Sequence, residues 1–321
     1  MQRRTFLSVA AGCALASSKL SAQRLPFPII DSHVHLYDPT RPQGVPWPRP
    51  SQASIYRTFL PADYRKIAEP LGVVGMIEME CSPWVEDNYW VLDIAAKEPI
   101  VVGTVGNLDP AKPDFREHLD RLHKNPLFRG IRCNVHDKLN LGEVISNLKA
   151  LAEAKLVLDG AGPASLLTDF VRVTDKVPDL RVVIDHLPGM RTPEEPAPRA
   201  AFEEARKELG KRPQVYAKVS EVFQRVDASG RLVDSGGRIP RDLNFYRPTL
   251  DTIYEVFGPD RLVFCSDYTN SEPMGTFAET LKIVQDYFLG KGQAAAEKFF
   301  WKNSVEAYHW IKRQPNQPAP A

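Results

Sequence analysis

From residue 28 onward the chain repeats one pattern: a short apolar run rich in β-branched residues, then a longer amphipathic stretch. The apolar runs are Ile29–His35, Val73–Glu80, Ile100–Asn107, Phe128–Val135, Leu156–Gly160, Arg181–His186, Val215–Val222 and Leu262–Asp267. They show little polar alternation, as expected of strands buried on both faces of a parallel sheet. The amphipathic stretches lie at 61–69, 86–97, 113–124, 141–154, 164–176, 198–210, 247–257 and 275–288. Eight strands, each followed by a helix, predict an α/β fold of the (β/α)8 barrel type. No Gly-x-Gly-x-x-Gly follows the first strand, so a dinucleotide-binding open sheet has no support. Two long insertions, residues 37–58 with Trp47 among prolines and residues 223–246 with several arginines, follow strands one and seven. Both belong to the C-terminal face of a barrel, where such folds place their chemistry.

The first 22 residues differ in kind. Arg3-Arg4 precede Phe6-Leu7, an apolar run to Ala16, and Leu20-Ser21-Ala22. This is the layout of an export signal cleaved after Ala22, and the run is too short to span a bilayer. The arginine pair predicts the twin-arginine export machinery as a partner and a periplasmic mature protein. The expected organisation is therefore a signal at 1–22, one barrel at 23–313 and a flexible tail at 314–321. Lys+Arg number 41 against 40 Asp+Glu, so no bulk field recruits nucleic acid or an acidic membrane. Cys81, Cys133 and Cys265 of the mature chain have no metal or disulfide spacing and read as small buried residues.

The chemistry concentrates at strand ends. His33 and His35, at i and i+2 in Asp31-Ser-His-Val-His35, face one side of the first strand. At a barrel mouth two imidazoles can chelate one metal or bracket one polarised oxygen. Asp267 ends the last strand and returns beside them when the barrel closes; a carboxylate ending an apolar run needs a partner. His186 ends strand six in the same setting. Arg132 on strand four and Lys218 on strand seven are candidate holders of a substrate carboxylate or hydroxyl. Glu80 and Trp47 complete the expected substrate wall. Asp159 ends strand five, and Glu221 follows strand seven. Neither a nucleophile elbow nor a P-loop is present.

Taken together, Ile29-Ile-Asp31-Ser-His33-Val-His35, Arg129-Gly-Ile-Arg132, Ile184-Asp185-His186-Leu-Pro, Lys218-Val-Ser220 and Ser266-Asp267 resemble the amidohydrolase superfamily, in its amidohydrolase-2 branch. The resemblance spans about residues 28 to 310 and is similar in detail to fuconolactonase-like and pyrone-dicarboxylate-lactonase-like proteins. It implies a distorted barrel and water attack on the carbonyl of a lactone. Asp267 would be general base, and His33, His35 and His186 would polarise the carbonyl. Non-oxidative decarboxylation of an aromatic or enoic acid is the alternative within the branch. A binding protein without turnover is a reading from another class. Binuclear relatives carry a carboxylated lysine on strand four and a histidine on strand five, where this chain has Arg132 and Asp159. The resemblance therefore leaves one divalent ion, zinc or manganese, held by His33, His35 and Asp267, or a metal-independent centre.

Replacing Arg3 and Arg4 together by lysine should retain the protein in the cytoplasm, as read by cell fractionation; an unchanged periplasmic yield would show that the pair is not recognised.

Overall fold

The computed structural model describes residues 22–133, 142–186 and 192–319. The expected signal, apart from Ala22, lies outside these residues. Eight parallel strands occur where the apolar runs predict them: β1 Ile29–Val34, β2 Val73–Met79, β3 Val101–Gly106, β4 Phe128–Arg132, β5 Val157–Gly160, β6 Arg181–Ile184, β7 Val215–Val219 and β10 Leu262–Phe264. They pair in chain order from β1 to β7 and then β10, so the fold is a (β/α)8 barrel. The closing seam between β10 and β1 is confined to the mouth, with Val34 bridging Tyr268 in parallel. Beside that bridge His35 N–H donates to Tyr268 O at 2.9 Å, and Asp267 N–H donates to His33 O at 3.0 Å. Register shifts in β1 between Asp31 and Val34 distort the wall at the same place.

Around the sheet run α1 Pro61–Ala68, α2 Val85–Lys97, α3 Phe115–Leu122, α4 Gly142–Glu153, α5 Leu166–Lys176, α6 Pro196–Gly210, α7 Leu243–Phe257 and α8 Phe277–Gly290. Their apolar stripes bury one cluster against the outer strand faces, including Leu92, Leu119, Leu148, Phe170 and Leu250. The bore holds a separate cluster, with Ile30, Ile77, Val102, Val157 and Val263 from the strands and Tyr308 and Trp310 stoppering it from below. Tyr308 ends a short helix, Asn303–Tyr308. Among the described residues no helix is long and apolar enough to cross a membrane.

The insertions meet the mouth as expected, with two differences from the sequence reading. The second contains a small hairpin, β8 Arg225–Val226 with β9 Leu232–Val233. Helix α7 then starts four residues ahead of the predicted stretch, because the Asp242 side chain accepts from Asn244 N–H as an N-cap. The tail is also shorter than expected. Gln317 is 1% exposed, and its amide donates to Val74 O and Pro99 O at 2.9 Å each. Carbonyls at the closed end of β2 and β3 need donors there, and Gln317 supplies them.

Gly130 sits where β4 crosses closest to β5. A Cβ at that position would lie 2.3 Å from Val157 Cγ1 and 2.5 Å from Val157 O. The second contact is backbone and cannot rotate away. Gly130→Ala should therefore destabilise the barrel by about 1–3 kcal/mol in urea unfolding; an unchanged midpoint would mean the two strands separate freely.

Candidate active site

The seam assembles the site. Because β1 and the end of β10 are tied by backbone hydrogen bonds, His33, His35 and Asp267 arrive side by side. His33 Nε2 lies 3.2 Å from His35 Nε2 and 3.3 Å from Asp267 Oδ1, and His35 Nε2 is 3.2 Å from the same oxygen. His35 is oriented by Nδ1–H donating to Met79 O at 2.9 Å, which leaves its Nε2 with a lone pair toward the centre. Below them Asp31 accepts from Ser266 N–H at 2.8 Å and from Tyr64 O–H at 2.7 Å, tying the seam to α1. Burial pushes the Asp31 carboxyl up to about 6, against the pull of those hydrogen bonds.

His186, Glu221 and Asp267 follow β6, β7 and β10, and all three have positive φ, at 57°, 48° and 54°. This left-handed conformation costs a residue with a Cβ about 1–3 kcal/mol and clusters at functional sites. His186 Nδ1 lies 3.0 Å from Ser220 Oγ and 4.0 Å from Asp267 Oδ2. Arg132 Nη2 lies 3.4 Å from His186 Nε2, and its Nε is 2.9 Å from Asp185 Oδ2. A guanidinium only donates, so His186 accepts at Nε2 and carries its proton on Nδ1. Glu80 faces Arg132 at 3.8 Å. Trp47 packs edge-on against His35, ring centres 5.1 Å apart. His35, Trp47, Glu80, Cys81, Arg132, His186, Asp267 and Asn270 line an open cavity of about 280 Å3.

Seven of the eight residues singled out from the sequence thus converge on one cavity or lie directly beneath it. Lys218 does not hold substrate as the sequence reading expected. It is 0% exposed and lies under His33, with Nζ 2.5 Å from Asp159 Oδ1, 2.9 Å from Asp185 Oδ1 and 3.2 Å from His33 Nδ1. The side chain enters the bore below the mouth, where an ammonium needs carboxylates and cannot reach a ligand. Burial works to lower the Lys218 ammonium, but Asp159 and Asp185 raise it above the usual lysine range.

Asn270 went unnoticed in the sequence. Its Nδ2 donates to Asp267 Oδ2 at 2.8 Å and to Glu221 Oε1 at 2.9 Å. Burial works to raise Asp267, yet His186 and the Asn270 amide outweigh it and hold the carboxyl at about 2. Burial raises Glu221, with Asp267 adding to it. The two carboxyls are thereby shifted in opposite directions, with Asp267 the more acidic of the pair.

The donors fit one divalent ion. His33, His186 and Asp267 each offer an atom within 4.8 Å of the others. The tighter set of His33, His35 and Asp267 has edges of 3.2–3.3 Å, close to the roughly 3.3 Å between tetrahedral ligands placed about 2.0–2.1 Å from an ion. Arg132 and Asp159 occupy the strand ends that a second ion would need.

With this geometry, residues 30–310 match the amidohydrolase family, and the chain belongs to it: the protein is an enzyme of that hydrolase family. It is 27% identical over 255 residues to an L-fucono-1,5-lactonase of Burkholderia ambifaria, covering 78% of this chain and 83% of that one. A second L-fucono-1,5-lactonase, from Burkholderia multivorans, is 21% identical over 85% of this chain and 92% of its own. An amidohydrolase of Burkholderia multivorans crystallised with zinc has the same fold, with a TM-score of 0.75 and 20% identity over 88% of this chain and all of that one.

Because Asp267 is held near 2, its ionisation favours the folded chain throughout the range above ordinary carboxylate pKa values and is lost only as the pH falls toward about 2. Carboxyl 13C spectra should show no inflection from Asp267 between pH 4 and 8. Asn270→Ala should move its midpoint upward; a wild-type midpoint of 4 or above would contradict the arrangement.

Proposed function

We propose that the protein opens a lactone by water attack at the carbonyl carbon. The observation that carries this reading is one ionised carboxylate, Asp267, within 3.2–4.0 Å of three imidazoles at the wall of a single cavity. A carboxylate there can take a proton from water, and an imidazole N–H beside it can stabilise an oxyanion. Asp267 accepts the water proton as the new C–O bond forms. The ring C–O bond then breaks, and Asp267 returns the proton to the departing alkoxide, giving a hydroxy acid. His33, His35 and His186 surround the position of the carbonyl oxygen. A divalent ion such as zinc or manganese, held by His33, His35 and Asp267, would supply Lewis-acid polarisation of that oxygen when bound.

Arg132 presents the edge of its guanidinium to the cavity while Asp185 anchors Nε, which suits a carboxylate or hydroxyl of the substrate. Trp47 offers an apolar face opposite. A second cavity of about 280 Å3 opens beyond Asn270, walled by Glu221, Phe223, Arg225 and Met274, and gives room for the part of a sugar-acid or dicarboxylate lactone away from the carbonyl. The relatives named as fuconolactonases support a sugar lactone. We place the mature enzyme in the periplasm on the strength of residues 1–22.

The test is a panel of sugar-acid and dicarboxylate lactones with acid release read by a pH indicator. Asp267→Asn should lower turnover roughly a hundredfold to ten-thousandfold, the range of general-base catalysis, with binding retained. Release of CO2 from an aromatic acid with no lactone opened would replace this reading by a decarboxylase, and near-normal turnover of the variant would move the base elsewhere.

A further inference from the structure

We infer that Lys218 is a positioning residue that places the proton of His33 on Nε2, making His33 a hydrogen-bond donor to the reacting centre and a poor metal ligand. An ammonium carries three N–H bonds. Lys218 Nζ has three neighbours in reach: Asp159 Oδ1 at 2.5 Å, Asp185 Oδ1 at 2.9 Å and His33 Nδ1 at 3.2 Å. All four side chains are fully buried, so no solvent competes for these positions. An ammonium has no lone pair and can only donate. His33 Nδ1 must therefore accept, and a neutral imidazole accepting at Nδ1 carries its hydrogen on Nε2.

The alternative tautomer has no acceptor to support it. A proton on His33 Nδ1 would face Asp185 Oδ1 at 3.7 Å, too long for a hydrogen bond, and would point at the Lys218 ammonium. On the other side of the ring everything favours a donor. His33 Nε2 faces Asp267 Oδ1 at 3.3 Å and the lone pair of His35 Nε2 at 3.2 Å. His33 thus lies in a directional chain that starts at Tyr308. The Tyr308 hydroxyl donates to Asp159 Oδ1 at 2.8 Å, Asp159 holds Lys218, and Lys218 donates to His33.

The consequence concerns any ion at this centre. A metal on His33 must displace the Nε2 hydrogen, and the ring can move that hydrogen to Nδ1 only by breaking the contact with Lys218. The donor spacing fits a divalent ion, but the tautomer opposes it. The chain therefore binds zinc more weakly than its ligand geometry alone would give. This inference rests on His33 belonging to the reacting centre and not on the identity of the substrate, so its test uses none.

The protein is labelled with 15N-histidine, and the two ring nitrogens of His33 are assigned against a His33→Gln variant. The expected result is a protonated-type signal at Nε2 and an unprotonated-type signal at Nδ1; the reverse pattern in the wild-type protein overturns the inference. Zinc binding is then measured by calorimetry on wild-type protein and Lys218→Met. The variant should bind zinc at least tenfold more tightly, with its free His33 shifted toward the Nδ1–H form. Equal or weaker zinc binding by a folded Lys218→Met overturns the link to metal. Should that variant fail to fold around two uncompensated carboxyls, Lys218→Met with Asp159→Asn removes one positive and one negative charge, and the same tenfold gain is required of it. An inactive lactone panel with the expected nitrogen pattern would remove the substrate reading and leave this one standing.

Discussion

The structure depends on how the barrel closes. Among the described residues, two backbone hydrogen bonds beside a single bridge join β1 to the end of β10, and the residues that make them include those whose side chains form the candidate site. His33 gives its carbonyl to Asp267 and its ring to the same partner; His35 gives its N–H to Tyr268 and its ring to Asp267. Closure and active-site geometry are one event. On the other side of β1, its pairing with β2 shifts register between Asp31 and Val34, at the same level as the two imidazoles. Asp31 pins the same seam from below through Ser266 and Tyr64.

Charge management beneath the mouth follows from this. Burying an ion is costly unless it is paired, and the bore contains Lys218, Asp159 and Asp185 in contact, with Arg132 above. Asp185 faces both cations and is held well below the usual carboxylate range once they overcome its burial. Asp159, whose ion-pair partner is Lys218, is pushed by burial up to about 7. The arrangement lets one shared carboxylate anchor Arg132 at the cavity and Lys218 under His33, so two cations with different tasks are held by the same group.

Much of this was legible in the sequence because strands buried on both faces leave a strong signal. All eight barrel strands fall on the apolar runs, and residues at or near the ends of those runs, His35, Glu80, Arg132, His186 and Asp267, reach the mouth because a parallel barrel points its strand ends one way. Depth along the bore was not legible. Lys218 belongs to a strand as surely as Arg132 does, but periodicity does not say that it lies one level lower, among carboxylates instead of facing a ligand. Asn270 and Ser220 are ordinary polar residues in loops whose roles come from neighbours distant in sequence. Tyr308 belongs to no motif in the sequence; only the threading of its short helix under the barrel brings its hydroxyl to Asp159. Gln317 looked like part of a proline-rich tail because a single amide docking on buried carbonyls leaves no periodic trace.

The seam also sets the order in which the molecule becomes an enzyme. His35 and Asp267 are 232 positions apart, and the contact between them is among the longest loops the chain must close, a contact whose entropy must be met before it returns any stabilisation. Seven strands and their helices can stack on neighbours close in sequence while the mouth is still open. The contact of the first strand with the last encloses that whole stack, and Tyr308 reaches Asp159 from a segment synthesised later still. A half-made or partly opened chain therefore holds no assembled carboxylate–imidazole cluster: reactivity is confined to the finished molecule by the same two hydrogen bonds that close it.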